Sequence, residues 1–271
     1  MQKEVIKSWA LFIGIGIIMI AHGLQMQLMG IRSVNENFSV ITTGIFMSGY
    51  FAGYFLGSKT TPLLVQKVGH IRVFAAFASL ASLSALLAAV YVNPTMWTLS
   101  RFITGISLVS CYIVTESWLN DRATNKNRGQ LLSAYFIILY IGLGIGMLLL
   151  NVSDPKNYEP FILVSVLLSL ALVPILLTKR SAPKFKKIGT ISVKELYEIS
   201  PLGTVSSFCT GLIHSAFFSV MAVYATKANF TLLETSILLF IATMAGVIFQ
   251  GPIGYLSDKF DRRKAIVAVT F

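Results

Sequence analysis

The chain is short of charge: only 12% of its 271 residues are Asp, Glu, Lys or Arg, while 55% are hydrophobic. A soluble domain carries about a quarter charged residues, so a water-soluble globule is excluded before any motif is read. Cysteine is scarce too. The only two, Cys111 and Cys209, both fall in apolar stretches, which excludes a disulfide framework and leaves the redox compartment unread. There is no HExxH, no phosphate loop with its lysine and no zinc-type Cys/His spacing. Ser and Cys residues within the apolar runs lack an identifiable base. The expectation is therefore no enzyme, no cofactor and no metal.

What is present is length in apolar runs. A spanning helix needs about 20 apolar residues, and such runs cover roughly 9–31, 40–58, 73–92, 95–117, 129–151, 160–178, 200–226 and 234–257. The first is too long for a signal-peptide core and has no small-residue cleavage site, so it reads as a retained helix. Glycine-rich pieces such as "GIGI" (14–17) and "GLGIG" (142–146) let membrane helices approach closely.

The basic excess, a net charge of +11, is a topology signal. With the N-terminus in the cytoplasm, 18 of the 22 Lys and Arg residues fall on that side, in the N-terminus and the segments 59–72, 122–128, 179–199 and 259–264. Arg32, Lys156 and Lys227 fall opposite, and Arg101 lies inside a span. This positive-inside bias makes the lipid bilayer, with its anionic headgroups, the natural neighbour of the basic loops. It gives a multi-pass protein of the cytoplasmic membrane with N-terminus and central loop inside. No aromatic-interleaved basic surface supports a nucleic-acid partner.

The stretch "KRSAPKFKKIGTISVKELYEIS" carries a linker, 179–199, that divides the chain into residues 1–178, a six-helix half, and 200–271, a shorter second part. An offset of 192 residues carries Gln66 to Asp258, Thr43 to Thr235, Ile45 to Ile237 and His22 to His214. Parallel repeats joined by a central loop are a plan of secondary transporters, with substrate held near the midplane.

Two cytoplasmic turns carry a family resemblance: "GYLSDKFDRRK" (254–264) and "PLLVQKVGHIR" (62–72). They resemble the turn after the second helix of each half in the major facilitator superfamily, approximately G-x-x-x-D-R-x-G-R-R. The later copy matches at Gly254, Asp258, Lys259, Arg262 and Arg263. The earlier copy is degenerate and keeps Lys67, Gly69 and Arg72. "RFITG" (101–105) resembles the superfamily's arginine-plus-glycine motif, and "ESWLNDRATNKNRG" (116–129) is similar to its YcaD-like bacterial branch.

The resemblance implies an all-α integral membrane bundle of the major-facilitator type, with eight transmembrane helices plus the start of a ninth at 265–271, of an expected twelve. It implies alternating-access transport of a small-molecule substrate, with protons as an optional coupling partner. It also implies that Asp258 latches the cytoplasmic side against the fifth span. The stub of a ninth helix gives the further expectation that the chain is truncated, and with it the alternative of a non-transporting membrane remnant or interaction partner.

Ionisable groups inside spans are the pathway candidates. Arg101, with Gly105, Leu108 and Tyr112 on its face, either lines a cavity or runs out to the interface. Glu116 lies about 22 Å further along the axis, so the two cannot pair. Arg122 or Arg128 is its expected partner, in a structural bridge or in proton handling. His22 shares a face with Gln25, and His214 with Thr210. Each histidine is expected to face one cavity from its own half, as a proton-coupling group or as a satisfied hydrogen-bonding one.

Overall fold

A computed structural model describes residues 8–124, 128–178 and 192–259, with 251 and 254–259 known by backbone alone. Among the described residues, eight helices are long and apolar enough to cross a membrane. They are α1 (Trp9–Asn35), α2 (Val40–Val68), α3 (His70–Val90), α4 (Pro94–Arg122), α5 (Arg128–Leu149), α6 (Glu159–Leu170), α7 (Pro201–Lys227) and α8 (Leu232–Lys259). The sixth crossing is completed by a short segment, Leu172–Leu176. It bends off at Ala171 because Pro174 cannot donate to the turn before it. The proposed ninth span lies outside the described residues.

Several helices outrun their apolar stretch. At 1.5 Å per residue, α2 with its 29 residues is about 43 Å long, against a hydrocarbon core of about 30 Å. The segment 59–72, expected as a loop, is therefore helical almost throughout. Pro62 sits within α2, and one residue, Gly69 at φ 87°, separates α2 from α3. That angle lies in the region where a side chain clashes, so Gly69 is what allows so abrupt a break. Much of the linker, 179–191, lies outside the described residues. Its end folds as a short helix, Val193–Ile199, opened by a capping box between Ser192 and Glu195.

Successive helices run in opposite directions, giving a near end, where α1 starts, and a far end, where it stops. The far end is held by an aromatic cluster in which Trp97 packs edge-on against Phe38 and Phe46 and tilts on Phe161. Arg32 ties the end of α1 to the loop before α6 through the carbonyls of Pro155, Lys156 and Asn157. Inside the bundle, hydroxyls satisfy one another: Ser84 with Thr104 at 2.9 Å, and Ser82 with Ser165 at 2.7 Å. These join α3 to α4 and to α6, where unpaired polar atoms would be costly.

Glycine sets the closest helix crossings. On α2, "GYFAGYFLG" places Gly49, Gly53 and Gly57 four residues apart, all against α4. From the other side Gly105 of α4 packs on the backbone of Tyr50 and Tyr54. The α1–α5 crossing uses Gly23, Gly142 and Gly146 in the same way.

The 192-residue offset reappears in the backbone. α1 and α7 are both 27 residues long and start 192 residues apart, at Trp9 and Pro201, and α2 and α8 start at Val40 and Leu232. The connecting turns agree atom by atom. Asn37 at φ 57° and Asn229 at φ 62° are the only non-glycine residues with positive φ among those described. Phe38 N–H donates to the Ser33 carbonyl at 2.9 Å, and Phe230 N–H to the Ala225 carbonyl at 3.0 Å. Both are helix C-caps in which asparagine takes the left-handed position.

Candidate functional site

The α2–α4 crossing determines what stands beside it. Because Gly49, Gly53 and Gly105 let the two backbones nearly touch, Tyr50 on α2 and Arg101 on α4 are pressed together. The Arg101 guanidinium lies 4.8 Å from the centre of the Tyr50 ring. His22 of α1 stacks on the same ring, 5.3 Å away and inclined by 20°. Three helices thus deliver an imidazole, a phenol and a guanidinium to one spot.

Arg101 does not run to the interface: it is 1% exposed. Its Nε and Nη1 are buried without a hydrogen-bond partner, as are Nδ1 of His22 and Nε2 of Gln25. The face expected to line a cavity is partly closed, since Gly105 is consumed by the helix crossing. A row of tyrosines continues from Tyr50 to Tyr54, at 6.1 Å between ring centres, and on to Tyr112, at 6.4 Å. Tyr112 donates to the Met19 sulfur at 3.1 Å. Tyr54 is 38% exposed and marks where the row opens.

Glu116 stands further toward the near end. Its Oε1 accepts from the Tyr135 hydroxyl of α5 at 3.2 Å, so its contact is a phenol where an arginine was expected. Arg122 lies over the Trp118 ring, 5.5 Å away.

The two histidines, equivalent by sequence offset, differ in surroundings. His22 is 6% exposed and held by Tyr50, whereas His214 is exposed and leans on Phe218 at 4.4 Å. The position equivalent to Tyr50 is Ala242, so α8 offers His214 no ring. An electrostatic interaction nonetheless reaches His22 from both Arg101 and His214. Thr210, one turn from His214, is exposed as well.

In the turn between α2 and α3, Lys67 and Arg72 are exposed, and Gly69 has the conformational role already given. In the later copy of the motif, Gly254, Asp258 and Lys259 end α8, with side chains outside the described set, and Arg262 and Arg263 lie outside the described residues. No group of three metal-ligating side chains occurs among the described residues.

Sequence reasoning missed Tyr50 and Tyr54, the two residues that organise the site. The available signal was the period-four repeat in "GYFAGYFLG": three glycines spaced to form a crossing, the first two each followed by a tyrosine.

Known proteins match this arrangement. The chain is 24% identical over 251 residues to an uncharacterized MFS-type transporter YcaD of Escherichia fergusonii, covering 92% of this chain. It is 25% identical over 253 residues to the protein of that name from Escherichia coli O6:K15:H31. The chain spans 66% of the length of these relatives. Among solved structures, a nucleoside transporter NupG (D323A mutant) superposes with a TM-score of 0.73 at 14% identity, covering 93% of this chain and 68% of that one. A D-xylose-proton symporter does so with 0.66 at 13% identity, covering 94% and 70%. The sequence profile of the Major Facilitator Superfamily matches residues 11–271, and the chain belongs to that superfamily.

Proposed function

We propose that this chain works in a secondary transporter, moving a small solute across the cytoplasmic membrane by rocking two helical halves about a central site. In this reading residues 1–178 form one half, 179–199 link the halves, and α7 and α8 belong to the other.

The observation that carries the proposal is where the parts touch. Among the described residues, the fully buried positions of α7 are Ser219, Ala222, Val223 and Ala225, and those of α8 are Thr235, Ser236, Leu239 and Thr243. All fall in the far half of their helices. The near part of α7, through His214, stands largely exposed. At the far end a methyl built on Gly30 would lie 3.0 Å from the Ala222 Cβ. Ser236 accepts from Gln27 of α1 at 2.7 Å and from Asn151, just past α5, at 2.8 Å. This is the pattern of a carrier shut at one end and parted at the other. The positive-inside bias supports reading the far end as the outer side, which makes this state inward-open.

The superfamily and the nucleoside and xylose–proton carriers that share the fold support transport as the activity. Proton coupling is assigned to His22 and His214, because imidazole is the side chain best suited to taking up and releasing a proton and the two stand on the corresponding helices α1 and α7. Glu116 is a half-buried carboxylate within α4, on the part of the helix toward the open end.

A cross-link tests the rocking step. In a chain with Cys111 and Cys209 replaced by serine, Gly30→Cys with Ala222→Cys is positioned to form a disulfide, whose Cβ atoms sit about 3.5–4.5 Å apart. In proteoliposomes screened with sugars, nucleosides, amino acids and carboxylates, oxidation is expected to stop saturable uptake and reductant to restore it. Uptake that persists in the fully cross-linked chain refutes the mechanism. So does a reduced chain that carries no member of the panel.

A further inference from the structure

We infer that the cargo is a singly charged organic anion, a monocarboxylate, whose carboxylate is held by Arg101 beside Tyr50. The inference deepens the transport reading and rests on it in treating this place as the cargo site.

The first reason is an unbalanced charge. A guanidinium taken from water into a low-dielectric interior costs several kcal/mol unless something pairs with it. Arg101 is 1% exposed, and two of its three nitrogens have no acceptor. The acids of the described residues are committed elsewhere or stand at helix ends. Glu36 pairs with Arg32, Glu116 takes the Tyr135 hydroxyl, and Glu234 closes onto Thr231. The Tyr50 ring offers Arg101 its π face, a contact weaker than a paired carboxylate, which leaves much of that cost standing.

The second reason is that the neighbouring polar groups are unsatisfied in the same sense. The amide Nε2 of Gln25 is a pure donor, and it is buried with no acceptor. His22 Nδ1 is also unpaired, and in the matching tautomer it donates. His22 and Arg101 meet on the Tyr50 ring, Gln25 follows His22 by one turn of α1, and donors left unpaired in this way are what an oxyanion completes.

Charge count then narrows the class. Arg101 is the only buried Lys or Arg among the described residues, so one negative charge is matched and a second would be buried unpaired. A phosphate or dicarboxylate dianion fits less well than a monocarboxylate. Tyr54 and Tyr112 supply aromatic wall for an apolar or lightly hydroxylated body, and Tyr54 reaches the open side.

The test is ligand-dependent thermal unfolding of the purified full chain in nanodiscs. The probes are lactate and benzoate, their uncharged analogues lactamide and benzamide, and succinate and inorganic phosphate as dianions. Lactate or benzoate is expected to raise the midpoint saturably, as binding to the folded state must, while the amides do not. Arg101→Gln should weaken that binding by roughly thirtyfold or more, the cost of truncating one side of a buried charge pair. Gln25→Leu should weaken it less. Arg101→Met should lose the response while unfolding no earlier than the parent without ligand, because it removes a buried unpaired charge. Equal shifts with amides, no shift with any anion, or an undiminished response in Gln25→Leu and Arg101→Gln overturns the inference, as does a preference for the dianions. Carboxylate binding without flux in the cross-linking assay refutes transport and leaves the site standing. Flux of an uncharged solute without carboxylate binding refutes only the site.

Discussion

Substituting Gly105 by alanine is the sharpest mechanical test of the site, because one methyl group acts on the contact that holds Tyr50 against Arg101. The new Cβ would lie 2.9 Å from the Tyr50 carbonyl carbon and 2.9 Å from the Tyr54 nitrogen. Both are backbone atoms of a helix and cannot step aside. Ordinary carbon contacts lie near 3.5–4.0 Å and the Tyr50 carbonyl oxygen stands nearer still, so α2 and α4 must separate by at least about 0.6–1 Å. Overpacking of this kind costs about 1–3 kcal/mol. The separation also loosens the crossing at Gly49, Gly53 and Gly57, where a gap of that size forfeits about a quarter to a half of each dispersion contact. Against this, alanine's better helix propensity returns up to about 1 kcal/mol. The net expectation is a loss of about 1–2 kcal/mol, read as a drop of about 2–8 °C in the unfolding midpoint, with weaker lactate or benzoate binding. Gly44→Ala is the control: nothing stands within 4 Å of its Cβ, so its midpoint should hold or rise. Combining Gly53→Ala with Gly105→Ala should cost less than the two changes separately, since the first already parts the helices. A Gly105→Ala chain as stable as Gly44→Ala, with carboxylate affinity intact, refutes the account of how the site is held.

The other expectations concern the paired turns, the near-end carboxylate and the linker. Asn37→Ala and Asn229→Ala should each lower the unfolding midpoint by an amount equivalent to about 1 kcal/mol, whereas glycine at either position should be harmless, because a Cβ is what strains the left-handed backbone. If glycine hurts as much as alanine, the shared cap geometry is not what stabilises the turns. Tyr135→Phe removes the hydroxyl that Glu116 accepts and should cost about 1 kcal/mol of stability. Glu116→Gln should recover part of that loss, and a double-mutant cycle without coupling would dissolve the pair. Glu195 accepts from the backbone and side chain of Ser192, which lowers its carboxyl below the usual range. Its cap is therefore complete above the ordinary glutamate pKa and is lost as pH falls through the lowered value. Hydrogen exchange at Val193–Ile199 should accelerate on acidification through that window, and Glu195→Gln should flatten the dependence.

The spans among the described residues were legible because hydrocarbon imposes them. A crossing must present some 20 apolar residues, and cations are costly to move across. Helix ends were not, since hydropathy marks where lipid stops and not where backbone hydrogen bonding stops. α2 therefore continues through Pro62 to Val68, ten residues past its apolar run. Arg101 and His22 stood out for the same reason the spans did, as ionisable groups where such groups are expensive. Their common partner did not. A tyrosine in an apolar run is ordinary packing until the crossing that aims it is known, and the crossing was written in glycines whose spacing went unread. Glu116 was visible, but its contact with Tyr135 depends on how α4 and α5 meet, which no local pattern specifies.

The repeat explains both the success and the limit of reading the second half from the first. Backbone features recur at 192 residues wherever the demand is local. Helix length, the asparagine cap and the bond from residue 38 or 230 back across the last turn depend on a few neighbouring residues, and those neighbours repeat. The histidines repeat as well, but an imidazole's state depends on what packs against it from another helix. There Tyr50 answers to Ala242. One histidine is clamped beside a buried cation, and the other stands open on α7. On the proposed reading, a repeated scaffold then carries a one-sided site, with recognition concentrated in the half that holds Arg101. Moving the aromatic ring across the repeat, with Tyr50→Ala and Ala242→Tyr together, should therefore weaken benzoate binding as strongly as Tyr50→Ala alone. Full recovery in the double variant would mean that the halves are interchangeable and that the asymmetry has no functional weight.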